Sequence, residues 1–270
     1  MRTAALCAAA FVLLAGHSPA GGRQPVRSSG ECVAAQAVDG DRRFVSDAAE
    51  CAVPSTPAST FKIPHALIAL DTGVIRPDTR MPWDGSAQPF PSWQRDHALE
   101  SSIRSSVVWF YRRTAAQIGR GRMRERLAAL DYAADRFERD VTAFWLDGDL
   151  AVTPLEQLAF MRRFARHELP VSPAHIDIVK SAMRMPEGTI ENALGTHAFA
   201  LAWPGPATVW AKTGNGAVDG VRVSWMVGLV EARGERYAFA GRVRGPGVTG
   251  STSGADLVSR VLSARPPASW

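Results

Sequence analysis

The sequence predicts an α+β fold, in which an antiparallel sheet formed from N- and C-terminal strands is flanked by helices and carries an inserted helical domain. Strand-like segments separated by turns occur at residues 30–52 and again at residues 208–243. Between them, residues 74–207 carry mostly helical patterns, joined by loops that contain proline and glycine. This arrangement predicts a cleft between the sheet and the inserted helices.

The individual elements follow from periodicity and from residues that form turns or end helices. Asp39-Gly40 indicates a hairpin turn in the first strand region, and Gly73 indicates the end of a helix over residues 58–70. Pro64 lies in the first turns of this helix or kinks it. Further helices are expected at residues 98–119, 123–130, 154–167, 174–183 and 254–263. Strands are expected at residues 208–212, 221–231 and 236–243.

The chain divides into a signal segment, residues 1–20, and one domain over residues 21–270. A basic residue, an apolar run and a small-residue end are typical of a secretory signal. The run is shorter than the roughly 20 apolar residues of a membrane span. We therefore expect a periplasmic or secreted protein with no membrane span after signal removal. The sheet part is expected at about residues 21–73 and 206–270, and the helical insertion at about residues 74–205.

Two cysteines, Cys32 and Cys51, follow the signal segment. In an oxidising compartment disulfides persist, and we expect a bridge between this pair. Two reduced buried cysteines are the alternative, because pairing depends on a Cα geometry that the sequence does not contain.

The charge pattern says little about partners. The net charge is +5 and the pI is about 9.5. The arginines are scattered rather than clustered, which favours an ordinary basic surface over a nucleic-acid site. The sequence has no zinc-site motif such as H-E-x-x-H, so we expect no metal.

Lysine is scarce in this chain and therefore informative. Of 31 lysines and arginines, only Lys62, Lys180 and Lys212 are lysines. Arginine keeps its proton in proteins, whereas burial can make a lysine neutral, so that it acts as a base or nucleophile. Lys180 is expected to be a surface residue of a helix. The other two lie in recognisable motifs.

The first motif is Ser59-x-x-Lys62, at the start of the first long helix. A separation of three residues places the hydroxyl and the amine on one helix face. A serine hydroxyl attacks well only when a base takes its proton, and a buried neutral lysine is one of few such bases. The helix N-terminus adds N–H groups suited to an oxyanion. Alone, this pattern is weak because it often arises by chance.

The second motif is Lys212-Thr213-Gly214, at the end of a predicted strand. A glycine on an edge strand lets a ligand approach the backbone closely. Ordinary turn chemistry at a strand end is the alternative. Together and in this order, S-x-x-K and K-T-G are typical of penicillin-recognising enzymes.

Beyond these motifs, the sequence resembles the class D β-lactamases, or oxacillinases, of the penicillin-recognising serine hydrolase family. The resemblance covers most of the chain after the signal. It is carried by residues 57–64, 66–75, 83–85, 106–111, 144–148 and 210–214. It implies a β-lactamase/transpeptidase-like fold and the hydrolysis of a small-molecule substrate, a β-lactam antibiotic, through a serine acyl-enzyme.

The resemblance also implies roles for individual residues. Ser59 is the acylated nucleophile, and Lys62 is carboxylated by CO₂ to a carbamate that acts as general base, with no other cofactor. Carbamate formation needs an uncharged amine, which an apolar pocket favours. Ser106 passes a proton to the leaving group. The expected pocket around the carbamate consists of Phe61, Val108, Trp145 and Leu146, with the Trp145 indole N–H free to donate.

Substrate binding is expected on the K-T-G strand. Lys212 and Thr213 hold the substrate carboxylate, and Gly214 lies beside them. The oxyanion hole corresponds to the backbone N–H groups of Ser59 and Asn215.

The sequence departs from the family pattern in two places. The usual Tyr-Gly-Asn is Tyr132-Ala133-Ala134 here, which restricts the loop if its backbone needs a positive φ. The usual arginine before the last helix is absent from residues 251–254. Arg242, Arg244 or nearby hydroxyl groups are the candidates to replace it.

Two other functions share the motifs. A penicillin-binding or sensing protein would be acylated but would deacylate poorly, and the expected lack of a membrane span argues against a receptor. A D,D-peptidase does not need the apolar pocket that contains Val108 and Trp145, so that pocket favours the β-lactamase interpretation.

Overall fold

The computed structural model of this protein describes residues 30–133 and 138–270. The predicted signal segment and Ala134 lie outside the described residues. The strands are β1 (Glu31–Ala37), β2 (Arg43–Val45), β3 (Arg80–Met81), β4 (His97–Ala98), β5 (Thr189–Asn192), β6 (Gly195–Ala198), β7 (Ala207–Val218), β8 (Val221–Ala232) and β9 (Glu235–Arg244). The helices are α1 (Ala48–Cys51), α2 (Lys62–Asp71), α3 (Leu99–Arg104), α4 (Val108–Ile118), α5 (Arg120–Ala129), α6 (Pro154–Ala165), α7 (Pro173–Ala182) and α8 (Ser253–Ala264).

The main sheet has five antiparallel strands in the order β2-β1-β9-β8-β7. The N-terminal hairpin β1–β2 pairs with the C-terminal strand β9, so the two ends of the chain complete one sheet. This confirms the predicted α+β fold and the hairpin at Asp39-Gly40. Strand β7 forms one edge, where a strand leaves backbone groups available for other contacts.

The sheet separates two hydrophobic cores because successive side chains of a strand point to opposite faces. On β8, Trp225 and Val227 pack in the core on the side of the inserted helices. Met226 and Val230 pack on the other side, in the core that includes Leu257 of α8. Helix α2 packs against α3, α4, α5 and α7, so the helix that carries Lys62 is surrounded by protein. None of the helices in residues 30–133 and 138–270 is both long enough and apolar enough to cross a membrane.

Three sequence predictions are wrong in detail. The single helix expected over residues 98–119 is two helices, α3 and α4, because the chain breaks at Ser106, whose φ is +57°. Residues 189–198, expected in the helical insertion, form the β5–β6 hairpin. The K-T-G motif lies inside β7 rather than at its end, since β7 pairs with β8 as far as Val218.

A disulfide and a buried ion cluster join the N-terminal segment to β9. Cys32 of β1 is bonded to Cys51 of α1, which confirms the expected bridge. The neighbouring Glu50 is 3% exposed and forms ion pairs with both Arg242 and Arg244. Arg242 is fully buried and also donates to Val53 O at 2.6 Å. Glu50 therefore neutralises part of a positive charge that is shielded from water.

We expect Glu50→Ala to lower the free energy of unfolding by about 3 kcal/mol, because it leaves the buried Arg242 charge without its carboxylate. Denaturant unfolding with the disulfide intact measures the change. Glu125→Ala, at an exposed position of α5, is the matched control. Equal stability of the two variants would show that the cluster does not stabilise the fold.

Candidate active site

Ser59 lies in a 3₁₀ turn, Ala58–Phe61, that leads directly into α2. Lys62 is the first residue of α2. Side chains three residues apart eclipse one another in a 3₁₀ turn, and Lys62 Nζ donates to Ser59 Oγ at 2.8 Å. Pro64 lies in the first turn of α2, where proline is tolerated. The structure thus brings the two S-x-x-K side chains into contact, although a 3₁₀ turn, not an α-helix, carries the serine.

The amine of Lys62 is shielded from water. The residue has no exposed surface, and its Nζ lies 5.2 Å from the centre of the Tyr111 ring. Burial, and then the positive charge of Lys212, hold the pKa of the Lys62 ammonium well below its usual value. Among the described residues, no carboxylate lies within ion-pair distance of it. The neutral amine is therefore favoured, and a neutral amine can accept a proton.

The four expected pocket residues divide into two pairs. Phe61 and Trp145 are fully buried, and their rings stack at 5.5 Å between centroids. Val108 and Leu146 are half-buried and line an open cleft next to Ser59. The first pair therefore forms part of the interior around α2, and the second pair forms part of the cleft wall.

Two buried polar atoms near Lys62 have no hydrogen-bond partner, Trp145 Nε1 and His65 Nδ1. The His65 ring packs edge-on against both Tyr111 and Trp145. Burial, and then the charge of Lys62, lower the pKa of His65 to about 3, so its ring is neutral. An unpaired buried indole N–H costs free energy, and an acceptor such as a carbamate oxygen would relieve that cost. The pocket therefore fits the group that the resemblance implies.

The K-T-G strand lies beside the serine turn with its lysine buried. Lys212 is 1% exposed, and its Nζ donates to Thr213 O at 2.9 Å. Burial lowers the pKa of Lys212 to about 7. Thr213 lines the cleft together with Ser59 and Asn215.

The hydrogen bonds of β7 show which of its backbone N–H groups point away from β8. The Ala211 N–H donates to Met183 O, away from β8. In an antiparallel edge strand the N–H groups of every second residue point to the same side, so the N–H groups of Thr213 and Asn215 also point away from β8. The Ser59 N–H belongs to the first turn of its 3₁₀ helix, where N–H groups have no partner within the helix. Ser59 and Asn215 therefore each offer a backbone donor at the cleft.

Gly214 is needed for a close approach of two backbone segments. A Cβ at this position would lie 3.0 Å from Pro57 O and 3.0 Å from Thr60 N. The space on the Cβ side of this glycine is filled by the serine turn itself. Without a side chain at residue 214, β7 packs directly against the residues that flank Ser59.

A buried chain of hydrogen bonds supports the serine turn from behind. Tyr132 Oη donates to Gln157 Oε1 at 3.2 Å, and Gln157 Nε2 donates to Thr60 Oγ1 at 2.7 Å. Thr60 Oγ1 in turn donates to Pro57 O at 2.7 Å. The chain links α6 to both ends of the turn that carries Ser59. The S-x-x-K motif assigns no role to Thr60 or Gln157.

Ser106 reaches the cleft because of the break between α3 and α4. Its N–H donates to Ile103 O, and its φ of +57° is unusual for a residue with a side chain. The preceding carbonyl, Ser105 O, accepts from Trp93 Nε1 at 2.7 Å. Ser106, rather than Ser105, lines the cleft with Ser59.

The cleft has a volume of about 160 Å³. Six of its lining residues were predicted from the sequence as site residues. The predicted residues are Ser59, Ser106, Val108, Leu146, Thr213 and Asn215. Ser251 belongs to the segment 251–254, whose hydroxyl groups were candidates, and the residues not predicted are Phe90, Trp93, Asn192, Ala193 and Leu194. The missed ones lie in loops and in the β5–β6 hairpin, where no motif marks them.

Neither candidate arginine reaches the cleft. Arg242 and Arg244 lie on the helical side of β9, where both bind Glu50, so the expectation that one of them replaces the missing arginine is wrong. Ser251 does line the cleft, and its carbonyl accepts from Asn215 Nδ2 at 2.9 Å. Hydroxyl groups and Lys212 are the remaining groups that could hold a carboxylate there.

In the altered Tyr132-Ala133-Ala134 motif, the tyrosine is buried and hydrogen-bonded. Tyr132 is 4% exposed and holds the hydrogen bond to Gln157. Ala133 has a φ of +47°, in the left-handed region that favours glycine. The backbone here therefore has the positive φ at which alanine is strained. Ala134 lies outside the described residues.

Comparisons with known proteins agree with this geometry. The family model of the penicillin-binding protein transpeptidase domain matches residues 33–263. Probable beta-lactamase YbxI of Bacillus subtilis is 31% identical over 221 residues, 82% of this chain and 76% of the relative. Regulatory protein BlaR1 of Bacillus licheniformis is 30% identical over 208 residues, 76% of this chain but 32% of the relative. A class D beta-lactamase structure from Nostoc has a TM-score of 0.76 and 29% identity, covering 87% of this chain and 92% of that one.

We expect Lys62→Met to raise the free energy of unfolding at neutral pH by about 1 kcal/mol, a typical size for one stabilising substitution. The unfolded chain protonates this amine below about 10.5, but the folded chain does so only at a much lower pH. Between those values the unfolded state binds more protons, so the native protein loses stability as the pH falls. The advantage of the variant should therefore grow as the pH falls from 10 to 7.

Denaturant unfolding in buffer purged of carbon dioxide measures this advantage, and the half-buried Lys180→Met is the control. A pH-independent difference between Lys62→Met and the native protein would contradict the low pKa.

Proposed function

We propose a β-lactam hydrolase activity for this chain, which belongs to the penicillin-binding protein transpeptidase domain family and, within it, to the class D β-lactamases. The observation that carries the proposal is the 2.8 Å contact between Lys62 Nζ and Ser59 Oγ. A buried amine with a lowered pKa, next to a serine at the edge of a cleft, is the pair needed for acyl transfer. We also propose a periplasmic or secreted location, on the basis of the N-terminal signal pattern.

Acylation begins with attack of Ser59 Oγ on the lactam carbonyl carbon. The Lys62 side chain, already within hydrogen-bond distance, takes the hydroxyl proton. The N–H groups of Ser59 and Asn215 stabilise the negative charge on the carbonyl oxygen. The C–N bond of the lactam then breaks. Ser106 gives its hydroxyl proton to the nitrogen and takes back the proton held by the Lys62 side chain, which is again free to act as base when water attacks the ester. Hydrolysis of the resulting ester by water regenerates Ser59.

Binding of the substrate carboxylate is proposed for the K-T-G strand. Thr213 offers a hydroxyl in the cleft, and Lys212 lies next to it. Burial lowers the pKa of the Lys212 amine to about 7, so this amine can gain or lose its proton near neutral pH. A bound carboxylate favours the protonated form, since an opposite charge stabilises the cation.

We further propose that Lys62 is carboxylated by CO₂. A carbamate there would act as the general base for both acylation and deacylation through its oxygen atoms. Three features of the pocket support it: the neutral state of the amine, the unpaired indole N–H of Trp145, and the absence of a carboxylate near Lys62 among the described residues. The apolar side chains around Lys62 exclude competing water.

A second candidate function is penicillin sensing through a long-lived acyl-enzyme. It is favoured by the similarity to BlaR1, and by a TM-score of 0.76 to the C-terminal domain of the Bacillus licheniformis BlaR penicillin-receptor, which is 26% identical. The two functions share acylation at Ser59 and differ only in the rate at which the acyl group is released.

We expect purified protein to turn over a chromogenic cephalosporin, with faster turnover when bicarbonate is added. Lys62→Ala should lower kcat by at least about 10³-fold, since it removes the general base. Lys180→Ala is the matched control, because Lys180 lies on α7 against Trp210, away from Ser59.

Intact-protein mass spectrometry, run in parallel, separates the two candidate functions. Stable acylation of Ser59 without turnover would support the sensor and overturn the hydrolase. If Lys62→Ala kept its activity, another group would have to supply the base.

A further inference from the structure

A second cavity lies at the turn end of the β7–β8 hairpin. Its volume is about 220 Å³, larger than the 160 Å³ of the serine cleft, and the two share none of their described lining residues. Its walls come from the end of the hairpin, from the end of β9, from residues 54–56 before the serine turn, and from residues 148 and 151 after Trp145. The cavity is therefore separate from the cleft that contains Ser59.

The hairpin gives this cavity an aliphatic wall. Val218, Val221 and Val223 line it from one face of the two strands, because Val218 and Val221 are opposite partners and Val223 is two residues further along β8. Val221 is 48% exposed and is one of two large apolar residues exposed in the described part of the chain. Pro54 and Ala151 also line the cavity. A ligand that covers these side chains would remove apolar surface from water.

Arg244 gives the cavity its charge. Its side chain is 30% exposed, whereas its partners in the buried ion cluster, Glu50 and Arg242, are at most 2% exposed. The cluster contains two guanidinium groups and one carboxylate, and Arg244 is the member that lines the cavity. Among the described residues that line it, Arg244 alone is charged. The ionic group that fits this wall is therefore an anion, which a guanidinium binds through charge-assisted hydrogen bonds.

Two contacts join the cavity to the loop that carries Trp145. Thr56, which lines the cavity, donates from Oγ1 to Trp145 O at 2.9 Å, and its own carbonyl accepts from Trp225 Nε1 at 2.9 Å. Gly148 lies so close to Val218 that a Cβ on Gly148 would be 2.6 Å from Val218 Cγ1. A ligand in this cavity therefore contacts residues that hold the Trp145 loop in place, so signals from that loop can report its binding.

We propose that this cavity is a second ligand site, which binds a short aliphatic monocarboxylate. The carboxylate pairs with Arg244, and the aliphatic chain covers Val218, Val221 and Val223. A mostly apolar cavity with one placed charged group is the usual composition of a small-molecule site. One cation selects one anionic group, and the volume of about 220 Å³ limits the chain to a short one. Binding here requires no reaction at Ser59.

Octanoate is the probe, and two-dimensional ¹H–¹⁵N NMR of the purified protein follows its binding. We expect saturable shifts at millimolar octanoate in the backbone N–H signals of Gly148 and Val221 and in the indole N–H signals of Trp145 and Trp225. Octylamine has the same chain and the opposite charge, and should bind at least about tenfold more weakly. Shifts confined to the serine cleft, at Thr213, would place octanoate there and overturn the proposal.

A matched pair of variants at Val221 tests the charge of the site. Val221→Gln removes apolar surface without adding charge, so octanoate should bind about threefold more weakly. Val221→Glu has nearly the same shape but adds a carboxylate to the cavity that Arg244 lines, and should weaken binding by a further factor of about ten. Both variants should fold, because Val221 is exposed.

Arg244→Gln should also raise the Kd for octanoate at least about tenfold, since it removes the cation that binds the carboxylate. Arg222→Gln is its control. Arg222 is exposed and lies next to Val221 on β8, but its side chain points to the opposite face of the strand. Its loss should change the Kd by less than about twofold.

Equal affinities for octanoate and octylamine, or equal losses in Val221→Gln and Val221→Glu, would overturn the proposal, because the charge of Arg244 would then play no part. A native protein whose signals at Gly148, Val221 and the two indoles do not shift would overturn it as well. The measurement contains no β-lactam, so it gives its result whether or not the protein hydrolyses β-lactams, and the two proposals stand or fall separately.

Discussion

The site depends on shielding the Lys62 amine from water while it contacts the Ser59 hydroxyl. In water, Lys62 would be a cation and could not accept the proton of Ser59; inside the protein, burial favours its neutral form. This requires that α2 be enclosed on every side, which the helices around it and the aromatic rings of Tyr111 and Trp145 achieve. The helices around α2 therefore shield the Lys62 side chain from water.

The second requirement is that the sheet meet this enclosure at the serine turn. Gly214 allows β7 to approach Pro57 and Thr60 at a distance that a Cβ would prevent. Gln157, from α6, holds the same turn through Thr60. Because α6 also packs against β1 and β9, the turn is fixed relative to the sheet from two directions. The N–H groups of Ser59 and Asn215 can then border one cleft, although they belong to different layers of the fold.

The parts of this site that depend on local spacing could be predicted from the sequence. The contact between Ser59 and Lys62 follows from a separation of three residues, and the strands around Lys212 follow from alternation and turn residues. The break at Ser106 was missed because helical periodicity continues through it, and only tertiary contacts such as Trp93 to Ser105 hold the backbone there. The hairpin tip at Leu194 and the contact from Gln157 to Thr60 join segments about 100 residues apart. No pattern within one segment of chain predicts contacts of that kind.

The protein buries charged groups in two different ways. One way stabilises the fold, and the other prepares two lysines for the proposed reaction. Arg242 and Arg244 share the carboxylate of Glu50, so each cation is partly neutralised where β9 meets the N-terminal segment. Lys62 and Lys212 have no carboxylate partner among the described residues, and both have lowered pKa values. Burial lowers the pKa of both amines, and the charge of Lys212 lowers that of Lys62 further. An anion beside either amine would favour its protonated form. A substrate carboxylate at Lys212, or a carbamate on Lys62, would supply that negative charge, so the electrostatics around these two lysines favour the groups that the proposed reaction brings to them.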